Sequence, residues 1–258
     1  MVPACSVAGV RPSLEWCGFT HGSPVGGGIV HASNKPKSVS MNAIQRYDLI
    51  IFDWDGTLMD SVDKIVRCMQ GAASDLGYAD PGAAAIRHII GLGLTEAMQA
   101  LFPTLAADEH DRLTQRYREH FLHRDQTPMP LFPGVNQGLQ QLNQKNYLLA
   151  VATGKARRGL DRVLEDTAMR GLFCATRCAD EAFSKPHPKM IEDILTVTGV
   201  APQRALMVGD TTYDMQMASN AGVASLAVSY GVHGREDLMR AGALACLNSF
   251  EEVCAWIP

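Results

Sequence analysis

The stretch Asp48-Leu49-Ile50-Ile51-Phe52-Asp53-Trp54-Asp55-Gly56-Thr57-Leu58 decides the fold. Its first part, 48–52, holds four consecutive apolar side chains with no polar alternation. Such a run suits a strand buried on both faces, as in a parallel sheet. Two carboxylates, Asp53 and Asp55, follow at once, and Gly56 permits a tight turn. Carboxylates seldom cluster at the end of a buried strand without a partner, because stripping their water is costly. A cation or a reaction is the usual reason.

Working outward, similar apolar runs occur at 147–152, 204–208 and 225–228, with a fifth at 243–247. Helical patterns stand between and after them, at 155–164, 188–198, 213–221, 235–241 and 250–256. Strands alternating with helices predict an α/β fold, a doubly wound, mostly parallel, Rossmann-like sheet. Ligands of such sheets bind at the carboxyl ends of the strands.

Residues 61–129 break this rhythm and read as helix after helix. Val62, Ile65, Val66 and Met69 share one helical face, and Leu113, Tyr117 and Phe121 recur at every fourth position. Asp80-Pro81 reads as a helix cap followed by a proline in the first turn. Proline and glycine at 128–134 then return the chain to the strand–helix pattern. The chain therefore divides into an α/β core of 42–60 plus 130–258 and an inserted helical domain, 61–129.

Residues 1–41 carry four prolines, three glycines in a row at 26–28 and no regular period. They predict a disordered or loosely attached extension, with Met41 as a candidate physiological start. No signal-peptide pattern opens the chain, which predicts a cytoplasmic protein. Seven cysteines at irregular spacing do not make a disulfide framework in 258 residues. Cys174 and Cys178 have no second pair to complete a zinc site. No apolar run approaches the roughly 18 to 20 residues that span a bilayer. The net charge of −4 argues against a dedicated nucleic-acid binder.

The chemistry collects where strands end. The second run closes on Thr153-Gly154-Lys155 and opens a helix, where a hydroxyl and free backbone N–H groups suit a phosphate. The third closes on Gly209-Asp210-Thr211-Thr212-Tyr213-Asp214, adding oxygen ligands suited to Mg²⁺. Lys185 precedes the helix that leads into that run, and its ammonium suits both the carboxylates and a substrate phosphate.

These four pieces, in this order, resemble the haloacid dehalogenase superfamily of phosphotransferases over about 47–230. The insertion resembles the helical cap of its phosphatase-rich subclass IA, to which phosphoglycolate phosphatases and β-phosphoglucomutases belong. Residues 131–135 (LFPGV) resemble the segment by which such caps return to the core.

The resemblance implies an Mg²⁺-dependent phosphatase acting on a small phosphorylated metabolite, phosphoglycolate-like or a sugar phosphate, as monomer or homodimer. It implies Asp53 as nucleophile and Asp55 as general acid and base. It implies Asp53, the Asp55 carbonyl and Asp210 as metal ligands. Asp214 supports the metal site or orients Lys185. Thr153, Gly154 and Lys185 bind the phosphoryl group.

Further residues have plainer readings. His120 and His123 read as solvent-facing. Gly91, Leu92, Gly93 and Arg87 form a candidate substrate-contacting turn, and Arg157 or Arg158 a candidate contact. His233 is a weaker candidate. The alternatives are a sugar-phosphate mutase, which uses the same two aspartates, and a catalytically silent module, which predicts a decayed motif. The run Phe52-Asp53-Trp54 also resembles phosphonate-cleaving members, but the insertion's one lysine, Lys64, stands too near the first motif for their cap lysine.

Overall fold

A computed structural model describes residues 46–258. The expectations for 1–41, Met41 included, lie outside the described residues, as do 42–45 of the expected core.

Six strands form one sheet: β1 (Leu49–Phe52), β2 (Leu148–Thr153), β3 (Ala175–Cys178), β4 (Ala205–Gly209), β5 (Ala224–Val228) and β6 (Cys246–Leu247). Their order is β3-β2-β1-β4-β5-β6 and every pairing is parallel. β1 lies at the reversal of strand order, between β2 and β4. Phe52 stands opposite Val151 on one side and Val208 on the other. The residues after Phe52, Val151 and Val208 therefore emerge together at one sheet edge, the place where such folds bind ligands.

The unbroken apolar runs follow from burial of both faces. Ile50, Phe52, Leu149, Val151, Leu206 and Val208 enter one core. The intervening Leu49, Ile51, Ala150, Ala152, Ala205 and Met207 enter the opposite core. The first core is covered by α5 (Val135–Gln144), α6 (Arg157–Asp166) and α10 (Phe250–Trp256). The second is covered by α7 (Lys189–Thr198) and α8 (Thr212–Asn220). α9 (Arg235–Arg240) packs its Leu238 with Met215 and Ala227 in a smaller cluster.

The insertion consists of α1 (Val62–Asp75), α2 (Ala83–His88), α3 (Leu94–Leu101) and α4 (Ala107–Glu119). A π-helical turn, His120–Arg124, ends α4. These helices gather around their own cluster, which holds Val62, Ile65, Val66, Met69 and Leu113, with Tyr117 and Phe121 packed against it. Two segments join insertion to sheet side by side. Asp60 N donates to Pro130 O at 2.8 Å and Phe132 N to Leu58 O at 3.0 Å.

Four details depart from the sequence reading. β3 was not expected: it is an edge strand whose Thr176 and Arg177 are only half-buried, so it lacks an apolar run. α5 was not expected either, because its sequence is rich in Asn and Gln. Asp80 does not cap α2. It accepts from Gly82 N at 2.8 Å in a turn, and Gly82 precedes the helix. α6 begins at Arg157 after Ala156, so Thr153 ends β2 and Gly154 stands in the bend that follows, not at the helix start.

Among the described residues, no helix is long and apolar enough to cross a membrane.

Candidate active site

Asp53 leaves β1 with its backbone held in the sheet, its N–H donating to Val208 O at 2.9 Å. Its side chain is buried, and Lys185 Nζ lies 2.7 Å from Oδ1. That contact lacks hydrogen-bond geometry, and Oδ2 has no partner among the described residues. Lys185 Nζ also donates to Asp214 Oδ1 at 2.7 Å, so one buried ammonium bridges two carboxylates. Trp54, between the two aspartates, turns into the core instead.

Asp214 is engaged on both oxygens. Thr211 N and Oγ1 donate to Oδ2 at 3.0 and 2.7 Å, forming a reciprocal cap at the start of α8. It thus both caps a helix and orients Lys185. Asp210 accepts from Thr57 Oγ1 at 2.8 Å and from Val232 N at 2.9 Å. Gly56 makes this approach possible: its φ is +83°, and a Cβ there would lie 2.3 Å from Asp210 Oδ2.

Oxygen atoms of Asp53, Asp210 and Asp214 lie within 4.8 Å of one another, all buried. Burial pushes the Asp53 carboxyl well above its usual range, against the pull of Lys185. Burial, and then the Asp214 carboxylate, push Asp210 up to about 7. Burial alone would lower Lys185, but Asp214 and Asp53 outweigh it and raise it. Ionising all three buried carboxyl groups around one ammonium is costly without a further positive charge. An oxygen-only donor set with an orphaned carboxylate oxygen fits a hard divalent cation.

Asp55 stands apart from this cluster. Its Oδ1 accepts from Ser61 Oγ at 2.6 Å and lies 2.9 Å from Lys155 Nζ. Asp53, Asp55, Thr153, Gly154 and Lys155 share the wall of one cavity of about 390 Å³. Thr153 Oγ1 accepts from Lys155 N at 3.1 Å, which closes the turn after β2. Gly154 meets the insertion: a Cβ there would sit 2.4 Å from Leu92 O, in the loop between α2 and α3.

Residues 50–228 match the family model described as haloacid dehalogenase-like hydrolase. The chain belongs to that family. This hydrolase is 36% identical over 211 residues to the probable phosphatase IndB of Dickeya dadantii, covering 80% of this chain and 91% of that one. It is 31% identical over 194 residues to a phosphoglycolate phosphatase of Mesorhizobium japonicum, covering 72% and 85%. Among solved structures, it is similar to a haloacid dehalogenase-like family hydrolase from Streptococcus pneumoniae. The TM-score is 0.72 at 26% identity, over 83% of this chain and 99% of that one. The chain is an enzyme, a phosphatase-type member of the family.

The remaining expected residues of this hydrolase divide. Gly91, Leu92 and Arg158 line the cavity. Arg87 does not: it pairs with Asp63 at 2.8 Å. Arg157 pairs with Glu181 at 2.7 Å and ties α6 to the loop after β3. His233 is structural: Nδ1 accepts from Thr212 N at 2.9 Å, and Nε2 lies 3.1 Å from His88 O. His120 faces Asp75 at 3.0 Å within the insertion, and His123 is exposed. Lys64 Nζ donates to Asp125 O at 3.0 Å.

Sequence reasoning missed Lys155 and Ser61 as neighbours of Asp55. For Lys155 a signal existed, since it directly follows Thr153-Gly154. Nothing in the sequence distinguished Ser61.

Proposed function

We propose that this hydrolase cleaves a small phosphate monoester with Mg²⁺, through an aspartyl-phosphate on Asp53. One observation carries the reading. Asp53 Oδ2 is buried and unpartnered on the residue that opens into the cavity from the end of β1. Leaving such an oxygen unsatisfied costs on the order of 1–3 kcal/mol or more. A bound cation or a reacting phosphorus relieves that cost.

In the first step an Asp53 oxygen attacks phosphorus, the bond to the leaving alcohol breaks, and Asp55 gives that oxygen its proton. In the second, water attacks phosphorus, Asp55 takes the water's proton, and the bond to Asp53 breaks to release inorganic phosphate. One difficult displacement becomes two easier ones. Lys185, Thr153 and Gly154 hold the transferring phosphoryl oxygens, and Asp214 keeps Lys185 in place. Asp53, Asp210 and the Asp55 carbonyl would hold Mg²⁺. Bound there, Mg²⁺ supplies the charge neutralisation that lets a dianionic phosphate meet a carboxylate nucleophile.

We read 61–129 as a cap over the core of 42–60 and 130–258. Its separate hydrophobic cluster and the contact of its Leu92 carbonyl with Gly154 support this. A cap excludes water until it is needed and reads the leaving group. The substrate is a small phosphorylated metabolite, phosphoglycolate-like or a sugar phosphate. The name of the Mesorhizobium relative supports the first. The described cysteines are all free, which suits a reducing compartment such as the cytoplasm.

Asp53→Asn tests the reading. Mg²⁺-dependent phosphate release should fall about a thousandfold or more, and no beryllofluoride adduct should form on residue 53. Unchanged activity overturns the nucleophile assignment. Isomerisation of a hexose phosphate without phosphate release would make the protein a mutase instead.

A further inference from the structure

We propose that Phe121, carried by the insertion, is a positioning residue for the acid–base machinery of the core: its ring keeps the Lys155 ammonium against Asp55, and Lys64 keeps the ring in place. This rests on the phosphatase reading above and deepens it by adding a residue that acts through Lys155 and not through the substrate.

Lys155 Nζ has two neighbours of different character. Asp55 Oδ1 lies 2.9 Å away, and the centroid of the Phe121 ring 5.0 Å away. The Lys155 side chain is almost fully buried, so its ammonium has lost most of its water. A cation over an aromatic face, within about 6 Å of the centroid, is attracted by the ring quadrupole, and desolvation strengthens that attraction. Without such a seat, a lysine keeps many conformations open on its flexible four-carbon stem. The ring therefore restricts the ammonium to the place where it meets Asp55.

Phe121 is itself held. It lies in the π-helical turn His120–Arg124, and Asp125 N donates to His120 O at 2.9 Å at the end of that turn. Turns of this kind are common at functional sites. Both ends are tied to α1. His120 Nε2 and Arg124 Nη1 lie 3.0 and 2.6 Å from Asp75 Oδ2. Lys64 Nζ donates to Asp125 O at 3.0 Å, and Arg67 Nε donates to Asp125 Oδ2 at 3.1 Å. The same Lys64 Nζ lies 5.2 Å from the Phe121 centroid. Lys64 is buried, and burying an ammonium is costly unless it is paired, so the carbonyl and the ring account for its place.

The arrangement joins the insertion to the chemistry. Asp55 and Lys155 belong to the core. Ser61, which donates to Asp55 Oδ1 at 2.6 Å, and Phe121 belong to the insertion. Asp55 is thus held directly from the insertion's edge and indirectly through the ring. Both contacts exist only while the insertion lies against the strand ends.

The test compares kcat/KM for ribose 5-phosphate and p-nitrophenyl phosphate on the full chain with Mg²⁺. That constant covers the steps through release of the alcohol, where Asp55 acts as acid. A sugar alkoxide needs that proton, whereas p-nitrophenolate leaves without it. Phe121→Leu keeps apolar bulk and removes the ring. It should lower kcat/KM about threefold to tenfold for ribose 5-phosphate and about twofold or less for p-nitrophenyl phosphate. Phe121→Tyr should recover most of the loss. In a Lys155→Met background, Phe121→Leu should cost nothing further. Lys64→Met should give the same pattern with a smaller loss, and it reads the contact if the Leu variant does not fold. Equal losses on the two substrates, an undiminished loss in the Lys155→Met background, or wild-type kcat/KM in Phe121→Leu overturn the proposal and leave the phosphatase reading standing. No Mg²⁺-dependent phosphate release from either substrate by the wild type overturns both.

Discussion

Lys155 Nζ lies 2.9 Å from Asp55 Oδ1, with side chains only 8% and 12% exposed. Ser61 Oγ donates to the same oxygen at 2.6 Å. The proposed acid–base residue is therefore held by two groups, one from the turn after β2 and one from the edge of the insertion.

Removing the ammonium should mislocate Asp55 without emptying the phosphate site. Lys155→Met is expected to lower kcat about tenfold to a hundredfold, with a smaller change in KM, and Lys155→Arg to recover part of the loss. Steady-state kinetics checks this. Wild-type kcat in the Met variant would show that Lys155 merely fills space.

The carboxylate cluster ties stability to metal. Mg²⁺ at about a hundred times its Kd should stabilise the protein by about 2.7 kcal/mol. In a chain of this size that is a Tm rise of roughly 5–10 °C. Chelator should abolish both the rise and the activity. Asp210→Asn should show little of either, because it removes one of the three clustered carboxylates. Differential scanning calorimetry with and without Mg²⁺ decides the matter. An equal shift in wild type and variant would place the cation elsewhere.

Gly154 is where the α2–α3 loop of the insertion meets the turn after β2. A methyl there would lie 2.4 Å from Leu92 O and 2.6 Å from Gly91 O, both backbone atoms. Gly154→Ala should push the α2–α3 loop outward and raise KM by about tenfold, at a stability cost of about 1–3 kcal/mol. Kinetics and thermal melts together test it, and an unchanged KM would show that this contact is not part of substrate closure.

The Arg157–Glu181 pair predicts a pH dependence. Arg157 Nε donates to Glu181 Oε1 at 2.8 Å and Nη2 to Oε2 at 2.7 Å. The hydrogen bond from Arg157 holds Glu181 below its usual range, outweighing burial. A carboxyl depressed in the folded state stabilises fully above its unfolded value, near 4.5, and loses that contribution as pH falls further. Glu181→Gln should therefore cost stability at pH 7, about 0.5–1 kcal/mol given partial solvent screening. The gap from wild type should shrink below about pH 4.5. Urea melts at pH 7 and pH 4 measure it, and a gap constant across that range would remove the charge from the account.

Much of this site was legible because buried carboxylates are rare. Asp53 and Asp210 stand out at the ends of apolar runs, with Asp214 four residues after Asp210, and the structure brings all three to one spot with Lys185. Lys155 and Ser61 were harder. A lysine or serine in a turn is ordinary, and only the fold shows which carboxylate it meets. His233 failed the opposite way: it sits near the strand ends, yet its ring nitrogens are spent joining α8 to the end of α2.

The edge elements show the same limit. β1, β2 and β4 are covered on both faces over most of their length, so nearly every position is apolar and the run announces itself. β3 has one neighbour and half-buried polar residues, so it reads as loop. By itself the sequence determined the central parallel strands, the helical insertion and the edge at which acids collect, because strand burial and carboxylate desolvation are local demands on residue type. Tertiary structure alone decided which side chains meet across that edge. Thr57 reaches Asp210 over 153 positions of chain and Lys185 reaches Asp214 over 29, and such pairings depend on register and rotamer. The reach of the cavity up to Tyr117 and Phe121 was decided there too, because it exists only where the helices of the insertion lie against the ends of the strands.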